Sequence, residues 1–380
     1  MLKKTSKIVN ITIFVFILTI IFAILGTFQI RDLKKIFDYN FFNLLILVIL
    51  VQAITHTFKM SHYDRKVLEL ISSISGDIRY SMIIPPIFFG LLPMPAGAML
   101  TADLSRTAGE NLKTPKKWVF FFNYWFRHVC EFSWPLYSAL ILAAGISNIP
   151  IKKFVSGMLL YFIIALVIGI ILLLLKVKPN NNERIKIPAG ELFRNLISTL
   201  WPVVLIILLM LLKIDLKYCL AIVLILLFIT EKSNFSNILK TLKLSIISEI
   251  SLIVFMVLIF KGVVENSNTL NMFADFLTIH NVPQIIPVII LPMAMAFLTG
   301  LTSAGIGSTG PILQGLFVAN PYFPYLAYVS AIAGVLISPF HLCLVTTKEY
   351  FKASFRDVYS TILLPTLVVL LVSIFRSLLV

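Results

Sequence analysis

The chain has 380 residues, 59% of them hydrophobic and 13% charged, with a mean hydropathy of +0.98. That balance excludes a soluble globular protein and describes an all-α polytopic membrane protein of about nine spans, at about 20 residues each. The 32 basic residues outnumber 17 acidic ones, but they are scattered through short loops without interleaved aromatics. They mark cytoplasmic loops rather than a nucleic-acid surface.

Lys3, Lys4 and Lys7 precede an apolar run, Val9 to Phe28, with no small-residue cleavage pattern. It reads as a retained first span entering from the cytoplasm. Phe41 to Phe58 is span two, and Lys59, Arg65, Lys66 and Arg79 hold the next loop inside. Ile83 to Arg106 then reads IIPPIFFGLLPMPAGAMLTADLSR, an apolar run broken by Pro85, Pro86, Gly90, Pro93, Pro95 and Gly97. It is too short to cross twice and predicts a re-entrant hairpin over residues 82–104. Trp118 to Tyr124 reads as an interfacial piece with its aromatics at headgroup level. Span three follows from Phe126 to Ile146 and span four from Phe154 to Leu175. A polar linker, 176–195, separates an N-terminal half, 1–175, from a C-terminal half, 196–380.

In the second half, Leu196 to Leu212, Leu216 to Thr230 and Ile246 to Phe260 are spans five to seven. The loop Val263 to Pro283 carries no Lys or Arg and is expected outside. A second hairpin, 285–318, contains LTGLTSAGIGSTGPILQ from Leu298 to Gln314. Its glycines and Pro311 predict unwound backbone, which survives at membrane depth only in a protein interior or a cavity wall. Span eight runs from Tyr325 to Thr347, with Pro339 expected to break it beside His341. Span nine, Val358 to Leu379, leaves the C-terminus outside. Pro311 lies 216 positions after Pro95. On that alignment, span two, hairpin one and spans three and four repeat as span seven, hairpin two and spans eight and nine, in opposite orientation. Paired broken segments of this kind point to a secondary transporter's site.

Broken helices present free N–H groups to anions, and their hydroxyls and carbonyls suit Na⁺. The candidate substrate contacts are Pro93, Pro95, Gly97 and Thr101 in hairpin one, and Ser303, Gly305, Gly307, Ser308 and Thr309 in hairpin two. Small-residue helix packing is the competing explanation. Arg127 and His128 can face an anion, although Arg127 can equally anchor a helix end at the interface. His128 and His341 follow the hairpin prolines by 33 and 30 residues, so they occupy similar places in the repeat. Thr302, Asp103 and Glu131 are candidates for the coupling ion, and Asp103 alternatively lies at the cytoplasmic mouth. His341 is a further substrate contact that could instead relay protons, as Glu131 could. Cys130, Cys219 and Cys343 show no CxxC spacing, so neither a disulfide framework nor a thiol metal site is expected. Walker A, HExxH and nucleophile-elbow patterns are absent from the sequence, and an enzyme is not expected.

GLLPMPAGAML (Gly90 to Leu100) and SAGIGSTGPIL (Ser303 to Leu313) resemble the paired hairpin motifs of the ion-transporter superfamily. That group includes gluconate, citrate, C4-dicarboxylate and arsenite permeases. NYWFRHVCEFSWPLY (Asn123 to Tyr137) and SPFHLCLVTTKEYF (Ser338 to Phe351) resemble an uncharacterised prokaryotic integral-membrane family within it. The resemblance implies an inverted-repeat carrier, often dimeric, in which a hairpin-bearing domain moves against a scaffold. The Ser-Asn-Thr tip of the Na⁺–dicarboxylate branch is replaced here by Gly307-Ser308-Thr309-Gly310.

The expected function is secondary active transport of a small anionic solute with Na⁺ or H⁺, by an elevator mechanism in the prokaryotic cytoplasmic membrane. The expected partners are the solute and the bilayer, with no cofactor beyond a coupling Na⁺. A lipid flippase or a channel could use the same broken helices. A bulky residue at Gly305 or Gly307 is expected to abolish transport and leave the fold intact.

Overall fold

Helix starts are written locally. Asp38, Asp215, Asn234, Ser248 and Ser354 each occupy an N-cap, their side chains accepting a backbone N–H from the first turn. Such caps satisfy donors that the helix itself leaves open. The computed structural model describes residues 2–61, 78–91, 97–178 and 201–379. Pro93, Pro95, nearly all of the linker and the start of span five lie outside the described residues.

All regular structure among the described residues is helical. The first half holds α1 (Leu2–Leu25), α2 (Leu33–Ile36), α3 (Tyr39–Met60), α4 (Ile84–Gly90), α5 (Gly97–Asn111), α6 (Lys116–Val129), α7 (Ser138–Ile146) and α8 (Ile151–Lys176). The second half begins with α9 (Trp201–Leu211). It continues through α10 (Leu216–Thr230), α11 (Phe235–Ile246), α12 (Glu249–Glu265) and α13 (Thr269–Ile279). It ends with α14 (Ile285–Thr299), α15 (Thr302–Ala319), α16 (Phe323–Leu336), α17 (Leu342–Phe351) and α18 (Phe355–Leu378). This is an all-α polytopic membrane protein. The apolar stretch of α8 is only 28% buried. Its exposed Leu159, Ile163, Val167, Ile171 and Leu174 form a face that suits lipid rather than water.

Several expectations change. Span three is not continuous, because α6 gives way to a 3-10 turn, Cys130–Phe132, before α7 starts at Ser138. Trp118 to Tyr124 is not a separate interfacial piece but the first part of α6, which is buried from Val119 to Val129. The basic stretch after span six is helical in α11, which meets α12 at a bend of 41°. The expected outer loop contains α13. Span eight breaks between α16 and α17, at Pro339, as its sequence predicts.

Helices buried all round mark the centre of a membrane bundle. Here they are α6 and α16, the latter buried from Phe323 to Leu336. The hydroxyl of Tyr124 donates to the Leu336 carbonyl at 3.0 Å, and that of Tyr328 to the Glu131 carbonyl at 3.0 Å. The broken spans of the two halves are thereby tied to one another. Hairpin one (α4, α5) packs on α6, and hairpin two (α14, α15) packs on α16.

Candidate functional site

The expected unwound backbone in hairpin two is absent. α15 runs as a helix through Gly305, Gly307, Gly310 and Pro311, and the break is confined to Gly300 and Leu301. Gly300 caps α14 with a left-handed φ of 67°, and Leu301 is extended. Packing explains why the glycines can be helical. A Cβ at Gly305 would lie 2.7 Å from the Ala296 Cβ, and one at Gly307 would lie 2.5 Å from Val257 Cγ2. Both glycines admit a neighbouring helix at close range. Ser308 and Thr309 are buried, but their hydroxyls donate to the carbonyls of Ala304 and Gly305 one turn back. Four of the five expected contacts in this hairpin are therefore occupied in packing or in bonds within α15. Ser303 lies in its first turn.

The two hairpin ends are held in the same way. A Cβ on Gly90, the last residue of α4, would lie 2.9 Å from the Arg127 carbonyl oxygen. A Cβ on Gly300 would lie 2.7 Å from the Phe340 carbonyl oxygen and 2.8 Å from the His341 nitrogen. Each glycine thus presses on the residue just before a histidine of the broken span. The freed carbonyls then find donors, as burial demands. Tyr137 Oη donates to the Gly90 carbonyl at 2.8 Å, and Trp134 Nε1 to that of Leu91 at 2.9 Å. In the other half, Ser338 Oγ donates to the Phe297 carbonyl and His341 Nδ1 to that of Gly300, the latter at 2.9 Å. Gly90 and Gly300, 210 positions apart, occupy matching places against the two broken spans. Of the Pro95–Pro311 pair, Pro311 lies within α15, and Pro95 lies outside the described residues.

The ionisable residues converge where these segments meet. Arg127, buried, donates through Nη1 to Tyr137 Oη at 2.7 Å, so it is not an exposed interfacial anchor. Glu131, also buried, accepts a hydrogen bond from Thr302 Oγ1 at the first residue of α15. A carboxylate there is favoured by the partial positive charge of the helix start. His128 Nε2 lies 3.0 Å from His341 Nε2. Cys343 belongs to the same cluster, its sulfur and the histidine nitrogens all lying within 4.8 Å of one another. All three cysteines are free.

Two candidates stand apart. Thr101 is buried, but donates to Asn123 Oδ1 at 2.7 Å, an acceptor it shares with Ser105 at 3.0 Å. Asp103 is exposed and paired with Arg106 at 2.6 Å and with Tyr350 Oη at 2.7 Å. Donation from Tyr350 and then Arg106 holds its carboxyl below the usual carboxylate range. Gly97 opens α5.

Asn123, Tyr137, Trp134 and Cys343 were not singled out from sequence. One signal was available for Cys343. His128-Val129-Cys130 and His341-Leu342-Cys343 are the same His-x-Cys pattern in the two halves. A cavity of about 610 Å³ lies elsewhere, between the start of α3 and the α7–α8 and α9–α10 turns. Asn40, Asn43, Asn148, Lys152, Lys213 and Asp215 supply its polar lining.

A family profile described as "Protein of unknown function (DUF401)" matches residues 1–380. The chain belongs to that family. No curated protein matches it. Among solved structures, the chain is similar to the Alcanivorax borkumensis YdaH transporter, whose crystal structure is titled as revealing an unusual topology. The TM-score is 0.60 at 12% identity, over 98% of this chain and 97% of that one. At that identity the likeness is one of fold, and it extends over both family member and transporter almost end to end.

Proposed function

We propose that this chain is a secondary active transporter for a small anionic solute, coupled to H⁺ or Na⁺, in the cytoplasmic membrane of a prokaryote. The reading includes kinship with the ion-transporter superfamily, an elevator movement of the hairpins, a cytoplasmic N-terminus and a homodimer.

The observation that carries it is the contact between Glu131 and Thr302. A buried carboxylate on a broken span is held by the first hydroxyl after a hairpin break. Buried ionisable groups at such places are costly and mark ion or substrate pathways. Glu131 and Thr302 are assigned the coupling ion. Arg127, one turn earlier and bonded through Tyr137 to the end of α4 in hairpin one, is assigned the solute's negative charge. The cavity beside Lys152 and Lys213 is assigned the outer vestibule, where lysines draw in anions. The shared fold with a transporter supports the reading at a coarser level.

The test is uptake of labelled carboxylates, sugar acids and oxyanions into proteoliposomes under an imposed pH or Na⁺ gradient. Accumulation above equilibrium is expected for one class of solute. Equilibration without accumulation would make the protein a channel, and transbilayer movement of labelled lipid instead would make it a flippase.

A further inference from the structure

The transport reading leaves Cys343 without a role, although its thiol lies in a largely buried cluster with His128 and His341. The state of the two histidines beside it follows from their outer bonds. His128 Nδ1 meets the Tyr124 carbonyl at 2.7 Å, and His341 Nδ1 meets the Gly300 carbonyl at 2.9 Å. A carbonyl oxygen can only accept, so both Nδ1 atoms carry the hydrogen. In the neutral rings both Nε2 atoms then hold lone pairs, and these face each other at 3.0 Å. Two opposed lone pairs at that separation repel unless a positive species binds both.

A shared proton would serve the two nitrogens and leave the thiol as a hydrogen-bond partner of the histidines rather than a ligand. A metal ion would use all three donors. The outer bonds also have the form expected of metal-binding histidines, which usually donate their second N–H to a carbonyl or carboxylate. Fit can be judged from bond lengths. Zinc at about 2.0–2.1 Å from each nitrogen, with tetrahedral angles, sets the nitrogens about 3.3 Å apart and takes sulfur at about 2.3 Å. The histidine pair opens by about 0.3 Å to reach that geometry, and the sulfur, already within 4.8 Å, moves inward.

We propose that His128 Nε2, His341 Nε2 and Cys343 Sγ form a binding site for one thiophilic cation, Zn²⁺ or Cu⁺, bound by the deprotonated thiol. Soft thiolate and imidazole donors select these ions over Mg²⁺ or Ca²⁺. The ligands come from both halves of the chain, and His341 also holds the Gly300 turn. A bound ion therefore fastens the turn of hairpin two to α6.

The experiment uses the full chain in detergent, stripped with chelator, desalted after exposure to Zn²⁺, Cu⁺ or Co²⁺, and assayed for retained metal. One ion per chain is expected, with a thiolate-to-cobalt charge-transfer band in the Co²⁺ form. Cys343→Ser should remove the band and weaken retention at least about tenfold, while Cys219→Ser changes neither. Failure of the wild-type protein to retain metal, or equal retention by Cys343→Ser, overturns the site. If Cys343→Ser does not yield monodisperse protein, ¹⁵N-histidine NMR of the wild type decides. Metal must shift the Nε2 resonances of His128 and His341 while Nδ1 stays protonated, and unshifted Nε2 resonances overturn the site. No solute or gradient is present, so the result is independent of the transport reading.

Discussion

Thr302 Oγ1 donates its hydrogen bond to the carboxylate of Glu131, 171 positions earlier in the chain. The bond joins the start of α15 to the broken third span, and both residues are buried. Hydrogen bonds to buried charged groups contribute about 1.5–3 kcal/mol, and Thr302→Val leaves the carboxylate short of one donor. That variant is expected to lose uptake about tenfold or more, since each 1.4 kcal/mol is about a factor of ten. Thr302→Ser, which keeps the donor, should retain most of it. Equal loss in both variants would point to packing rather than to the hydroxyl.

Gly300 and Gly315 make opposite predictions about one substitution. At Gly300 an alanine must adopt a left-handed backbone, at about 1–2 kcal/mol, and its Cβ would meet backbone 2.7 Å away. At Gly315, inside α15, a Cβ has nothing within 4 Å, and alanine favours the helix by about 1 kcal/mol. Thermal unfolding in detergent should show Gly300→Ala falling by several degrees and Gly315→Ala unchanged or raised.

Gly305→Leu and Gly307→Leu should reduce folded yield, not merely transport. The first would drive a side chain into Ala296 and the Pro292 carbonyl, the second into Val257. Overpacking of this sort costs about 1–3 kcal/mol or more. Size-exclusion profiles in detergent are the check, and native-like monodisperse protein would return these glycines to a role in binding.

Asp103 titrates below its ordinary range because Tyr350 Oη and Arg106 hydrogen-bond its ionised form. A depressed carboxylate contributes stability that is present above its unfolded value, about 3.9. That contribution disappears as pH falls through the lower folded value. Tyr350→Phe should therefore lower Tm slightly at pH 7, and the gap from wild type should close below about pH 4. Asp103 is exposed, so the effect is small.

Much of the helical frame was legible in sequence. α10 has the expected limits, and the helices of hairpin two span 285–319 against an expected 285–318. The break at Pro339 could be read because proline removes a donor and clashes with the preceding turn. The glycine-rich run misled because glycine permits unwinding without requiring it. The decisive signal was the single glycine after an apolar helix, the ordinary C-cap pattern, at Thr299-Gly300. The buried aromatic run of α6 resembled an interfacial belt, since composition does not say which aromatics face protein. The pairings of Glu131 with Thr302 and His128 with His341 join residues far apart in the chain. Those individual residues could be nominated from the cost of burying them, but their partners are set by tertiary packing.

The most direct test of the central claim is solid-supported-membrane electrophysiology on proteoliposomes. A panel of carboxylates, sugar acids and oxyanions is jumped with and without Na⁺ or a pH step, comparing wild type with Glu131→Gln. A solute-dependent, gradient-dependent transient current is expected in the wild type, and it loses its coupling dependence in Glu131→Gln. A wild-type current whose ion dependence survives intact in Glu131→Gln would contradict the central claim.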